Sequence, residues 1–137
     1  MPLDNNRPTR PTLAFGNGET VLLVEREERL RKLGQYVLEK LNYQVFTTLD
    51  HQEFSNRQDI EQRKIDLLIL DGSAPIWESK EIVRQVRKYC PEAKTLFTTV
   101  HDIQLETECG RKIAGKKIIN KPFRIEDFSK TVYQTLH

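Results

Sequence analysis

The run Ile65-Asp66-Leu67-Leu68-Ile69-Leu70-Asp71-Gly72 is apolar through Leu70 and then breaks off at a carboxylate and a glycine. A short apolar run bounded in this way reads as a strand of a buried sheet, which puts Asp71 at the sheet's carboxyl edge. Lys116-Lys117-Ile118-Ile119-Asn120-Lys121-Pro122-Phe123 repeats the design with Lys121 at the strand exit, and Thr95 to Thr99 ends another strand in a hydroxyl. If these strands are parallel neighbours, an acid, a hydroxyl and an ammonium converge on one edge.

Apolar runs and helical patterns alternate along the chain. Thr20 to Glu25 reads as a first strand, followed by Leu30, Leu33, Val37, Leu38 and Leu41 at helical spacing. Tyr43 to Thr47 is a second strand, and the polar segment Gln52 to Arg63 is expected to be a second helix. After the strand Leu67 to Asp71, residues Ile82, Val83, Val86 and Tyr89 mark a helix that stops before Pro91. Thr95 to Thr99, a looser helix over about 103–113, the strand Lys117 to Asn120 and a last amphipathic helix through Ile125, Phe128, Val132 and Leu136 complete the series. Five strands alternating with five helices imply a doubly wound α/β fold, a parallel sheet with helices on both faces. Functional groups gather beyond the carboxyl ends of such strands.

With 137 residues the chain suits one domain. Residues 1–18 hold three of the six prolines, Pro2, Pro8 and Pro11, among Asn, Arg, Thr and Gly, so they read as a flexible linker or tail and the domain as 19–137. Lys and Arg number 22 against 20 Asp and Glu, with both signs interspersed, and the net charge of +2 gives no footprint for nucleic acid or an anionic membrane. No apolar run approaches the ~20 residues of a membrane span and no signal-peptide pattern opens the chain, so a cytoplasmic location is expected. Cys90 and Cys109 form no Cys-x-x-Cys pair and read as reduced structural thiols. His51, His101 and His137 are scattered and suggest surface polar roles. There is no glycine-rich phosphate loop.

Glu25 and Arg26 after strand one, Asp71 after strand three, Thr99 after strand four and Lys121-Pro122-Phe123 after strand five, with Pro75 four residues beyond the acid, together resemble the receiver domain of two-component response regulators over residues 19–137. The resemblance implies a flavodoxin-like five-stranded sheet in the order 2-1-3-4-5. It implies that Asp71 accepts a phosphoryl group whose oxygens bind Thr99 and Lys121. Mg²⁺ would sit beside Asp71 and the Ser73 backbone. A histidine kinase or phosphotransfer protein would be the donor, and output would pass through protein contacts. The chemistry is consistent: a carboxylate is a nucleophile toward phosphorus, and the acyl phosphate formed needs donors on its oxygens. Taken singly, Asp71 could cap a turn, Lys121 pair with a surface acid and Thr99 simply favour a strand; their joint occurrence carries the reading.

Two positions depart from the family's pattern. Receivers place two adjacent acids at the end of strand one to help hold Mg²⁺, whereas this chain has Glu25 followed by Arg26. A guanidinium there reverses a ligand's charge and argues against the metal. Arg26 either pairs bidentately with Asp71 or a phosphoryl group, or turns to solvent. Glu27 and Glu28 are expected in the first turn of helix one, where negative charge suits the helix dipole. The aromatic residue often found three positions before the strand-five lysine is Ile118 here. Trp77, in the loop after Pro75, is expected to pack near the pocket mouth rather than anchor a partner.

The primary expectation is a signalling module that takes phosphate at Asp71; the alternative is a pseudo-receiver acting as a phosphorylation-independent interaction or scaffolding domain. Neither is an enzyme beyond autocatalytic phosphoryl acceptance and autodephosphorylation. An aspartate-based phosphohydrolase is disfavoured, since Ser73 stands where such enzymes place their second acid. Gly16 to Val24 resembles the junction into receivers at the carboxyl ends of hybrid histidine kinases, so the downstream partner is either a separate protein target or covalently linked kinase domains.

Overall fold

A computed structural model describes residues 12–61, 63–99, 117–120 and 124–137, with the backbone alone for residues 58, 61 and 117–120. The chain runs through β1 (Thr20–Val24), α1 (Glu28–Lys40), β2 (Gln44–Thr48), α2 (His51–Ser55), α3 (Gln58–Glu61), β3 (Leu67–Asp71), α4 (Ile76–Tyr89), β4 (Lys94–Thr99), β5 (Lys117–Asn120) and α5 (Ile125–Leu136). The looser helix expected over 103–113 lies outside the described residues.

Parallel strands β2-β1-β3-β4 form the part of the sheet whose side chains are described, and the backbone of Lys117–Asn120 extends it beside β4. Every residue of β3 is buried, as expected of a strand covered on both faces. Its alternating side chains feed two cores. Leu68 and Leu70 join Leu22, Phe54, Ile82 and Val86 beneath α2–α4, whereas Leu67 and Ile69 join Leu23, Leu38, Phe128 and Val132 beneath α1 and α5. Asp66 fastens the opposite edge: its carboxylate accepts from Thr20 N at 2.9 Å and its carbonyl from Lys94 N at 3.0 Å.

α1 ends in a hydrogen-bonded reversal. Tyr43 N donates to Leu38 O and Asn42 N to Glu39 O, each at 3.1 Å, with Asn42 at φ 75°. Asparagine tolerates this left-handed conformation better than most residues. Within α1, Gly34 lets the helix approach the sheet, because a Cβ there would lie 2.8 Å from Leu23 Cδ2.

The single helix expected over Gln52 to Arg63 is instead two short ones. Asp50 caps the first by accepting from Glu53 N at 2.9 Å. Asn56 closes it, and the guanidinium of Arg57, between the two helices, donates to Asp59 (2.7 Å) and to the Thr47 carbonyl (3.0 Å). Trp77, expected in a loop, lies in the first turn of α4 and is 61% exposed, so it is not core packing. Its ring meets that of His51 edge-on at 5.9 Å between centroids.

Contacts with the fold begin before Glu19. Leu13 packs against the α1–α5 core, Ala14 N donates to Ser129 Oγ at 3.3 Å, and Gly16 N and Gly18 N donate to Leu41 O and Asn42 O at 2.8 and 2.9 Å. A Cβ on Gly16 would fall 2.2 Å from the Tyr43 ring, so the backbone passes where only glycine fits.

Candidate functional site

Glu25, Asp71 and Thr99 are all buried at the carboxyl edge of the sheet. Parallel register places Asp71 opposite Thr98, so Thr99 stands one residue further out, opposite Asn120. Lys121 follows Asn120 directly and lies outside the described residues. Ser73 turns back on the acid: its N and Oγ donate to Asp71 Oδ1 at 2.9 and 2.6 Å. Glu25 Oε2 accepts from Glu27 N at 3.1 Å, so the acid at the end of β1 also holds the entry into α1. Glu28 stands in the first turn of α1, as its position suggested, and pairs with Lys32 at 2.9 Å.

Arg26 is held by neither Asp71 nor solvent alone. Its guanidinium donates to the carboxylate of Glu78, while its side chain keeps 50% of its surface exposed. Glu78 lies in the first turn of α4 and its side chain is only 5% exposed. Its other oxygen, Oε1, accepts from His51 N at 2.8 Å, tying α4 to the start of α2. The hydrogen bond to Glu78 is the main cause that raises the titration of Arg26, with further contributions from the charges of Glu78, Asp50 and Asp71. Arg26, Asp50, Asp71 and Glu78 line one small cavity.

Glu78 and Asp50 are the site residues that sequence reasoning missed. An acid in a first helical turn is ordinary, because it complements the helix dipole. The available signal was the cation itself: Arg26 at a buried strand end calls for an acid on a neighbouring element.

Parallel strands, helices on both faces and a buried aspartate at the exit of the central strand define a doubly wound domain of the flavodoxin-like kind. The profile of the response regulator receiver domain matches residues 21–133, and the chain belongs to that family. It is 30% identical over 103 residues to the alkaline phosphatase synthesis transcriptional regulatory protein PhoP of Bacillus subtilis (strain 168), covering 75% of this chain and 42% of the relative. It is 31% identical over 116 residues to the transcriptional regulatory protein TrcR of Mycobacterium tuberculosis (strain ATCC 25618 / H37Rv), covering 83% and 44%. The chain therefore spans less than half the length of these curated relatives. Among solved structures it resembles the chemotaxis response regulator CheY4 of Vibrio cholerae (TM-score 0.69, 24% identity, 87% of this chain and 99% of that one). It also resembles the receiver domain of the hybrid histidine kinase CckA (TM-score 0.66, 24% identity, 86% and 99%).

Receivers typically hold Mg²⁺ at this acidic pocket. Glu25 and Asp71 supply carboxylates, but the residue next to Glu25 is a guanidinium within electrostatic range of Asp71. Mg²⁺ asks for near-octahedral oxygen ligation. None of the described helices is long and apolar enough to cross a membrane.

Proposed function

We propose that this receiver accepts a phosphoryl group on Asp71 from a histidine kinase or phosphotransfer protein and signals by a change of protein-contact surface. The observation that carries the reading is a buried carboxylate at the exit of the central strand, already engaged by Ser73, with buried Thr99 on the adjacent strand one residue beyond the register partner of Asp71. Thr99 and Lys121 are the oxygen partners, and Lys121 enters on sequence position alone. Mg²⁺ binding is weak because of Arg26. The chemistry is limited to self-phosphorylation and its reversal by water, in the cytoplasm, without nucleic acid bound by this domain. The output is received by a separate protein or by kinase domains on the same chain.

The Arg26–Glu78 pair also favours a second reading, a phosphorylation-independent scaffold whose pocket cation is satisfied internally. Intact mass after incubation with acetyl phosphate separates the two. Wild type gains one phosphoryl group and Asp71→Asn gains none. Undiminished labelling in that variant rejects Asp71, and no labelling of wild type with or without Mg²⁺ favours the scaffold.

A further inference from the structure

Resting on the reading that Asp71 is an acceptor, we propose that Arg26 is a two-position cation: it rests on Glu78 and moves to the phosphoryl group formed on Asp71, supplying the positive charge that receivers otherwise take from Mg²⁺. Glu78 is the positioning residue that holds it in readiness.

Three observations lead here. First, Arg26 sits at the metal-ligand position of the pocket and lines the same small cavity as Asp71, yet its bond runs to Glu78 through one Nη. A guanidinium carries five donors in a planar fork, so one such bond leaves capacity for a tetrahedral anion. Second, the half-exposed side chain is not locked in packing. Third, Glu78 has supports that remain when the arginine leaves: the His51 N–H at 2.8 Å and the N-terminal turn of α4. A buried carboxylate with a second donor and a favourable helix end tolerates loss of its ion pair better than one without them.

The transfer balances without a metal. An Asp71 carboxylate oxygen forms a bond to phosphorus as the bond from phosphorus to acetate oxygen breaks, and acetate departs with the electron pair. Asp71 thereby exchanges one negative charge for an acyl phosphate bearing up to two. That raises the attraction on Arg26 relative to the single charge of Glu78. Departure of Arg26 leaves the His51 N–H as the main grip on Glu78. The change is felt where the Trp77 and His51 rings meet, giving an intrinsic optical reporter.

The experiment uses the full chain, acetyl phosphate, and either EDTA or millimolar Mg²⁺, read by intact mass and Trp77 emission. Wild type is expected to label in EDTA at a rate within a few-fold of that in Mg²⁺. Arg26→Ala should lose at least about tenfold of the EDTA rate, the scale of removing one charged stabiliser of a transferring group. Because that variant leaves buried Glu78 without its ion-pair partner, the double variant Arg26→Met with Glu78→Gln removes both charges and should show the same loss in a folded protein. Glu78→Gln alone keeps an acceptor for His51 N–H but releases Arg26; its Trp77 emission should already resemble the phosphorylated state and change little on labelling. If wild type labels only with Mg²⁺, or labels equally well in EDTA when Arg26 is replaced, Arg26 is not the phosphoryl cation although Asp71 remains an acceptor. Absence of labelling in every condition would instead remove the acceptor reading on which this one stands.

Discussion

At the scale of single residues, Tyr43 shows how a group outside the pocket shapes the pH response. Its ring is buried beneath Gly16, and its Oη finds no hydrogen-bond partner among the described residues. Burial pushes the phenol up to about 12, aided by the charges of Glu19 and Tyr133. An unfolded tyrosine titrates near 10. Between roughly pH 10 and 12 the unfolded chain therefore releases a proton that the folded one retains, and stability falls as pH rises through that window. Tyr43→Phe should remove this alkaline loss and, by deleting an unpaired buried hydroxyl, leave neutral stability unchanged or raise it by about 1 kcal/mol. Thermal melts over roughly pH 8 to 12 test both statements, and a variant markedly less stable than wild type at neutral pH would show that the hydroxyl has a partner. The residue scale is also where the sequence was least informative about the site. Asp71 stood out because a carboxylate ends an apolar strand, whereas Glu78 is one acid among several in helical first turns.

Short elements depend on their ends. α2 has five residues, too few to be stable through its own hydrogen bonds. Asp50 accepts Glu53 N at 2.9 Å, and Glu53 Oε1 in return accepts Leu49 N at 3.1 Å and Thr48 Oγ1 at 3.2 Å. Asp50→Ala should cost about 1 kcal/mol, while Asp50→Asn, which keeps the acceptor, should cost a fraction of that. Urea denaturation gives the magnitude, and amide exchange should locate the loosening in α2; equal stability of wild type and Asp50→Ala would mean the cap contributes nothing. Strands were the readable elements, since β3 needs apolar side chains on both faces and the sequence offers nothing else there. The segment after β2 misled because its polar pattern is compatible with one helix. Where it divides, the Arg57 guanidinium holds Asp59 two residues on and the Thr47 carbonyl on β2, and the second of these is a tertiary contact that no local propensity records.

For the whole molecule, the alternation of runs was enough to expect a doubly wound sheet with a site at its carboxyl edge, because topology follows from which elements must be covered on both faces. Where the folded unit begins was less legible. Residues 13–18 carry a linker-like composition yet place Leu13 in a core and give Gly16 and Gly18 backbone bonds to Leu41 and Asn42. Deleting residues 1–18 should therefore lower stability by roughly 1–3 kcal/mol through lost apolar burial and unpaired carbonyls, whereas deleting residues 1–11 removes none of the described contacts. Equal melting temperatures for the two truncations would show that the docked segment is dispensable.

The unequal burial of Arg26 and Glu78 also imposes an order on how such a pocket can change over generations. If Arg26 is replaced first, a buried acid loses its ion-pair partner; if Glu78 is replaced first by glutamine, the arginine simply relaxes into water and the His51 N–H keeps an acceptor. A lineage exchanging this pocket for one with paired acids therefore has its easier path through a neutral residue at 78, so the permissive substitution lies on α4 and precedes any change in the strand-one residue it makes possible.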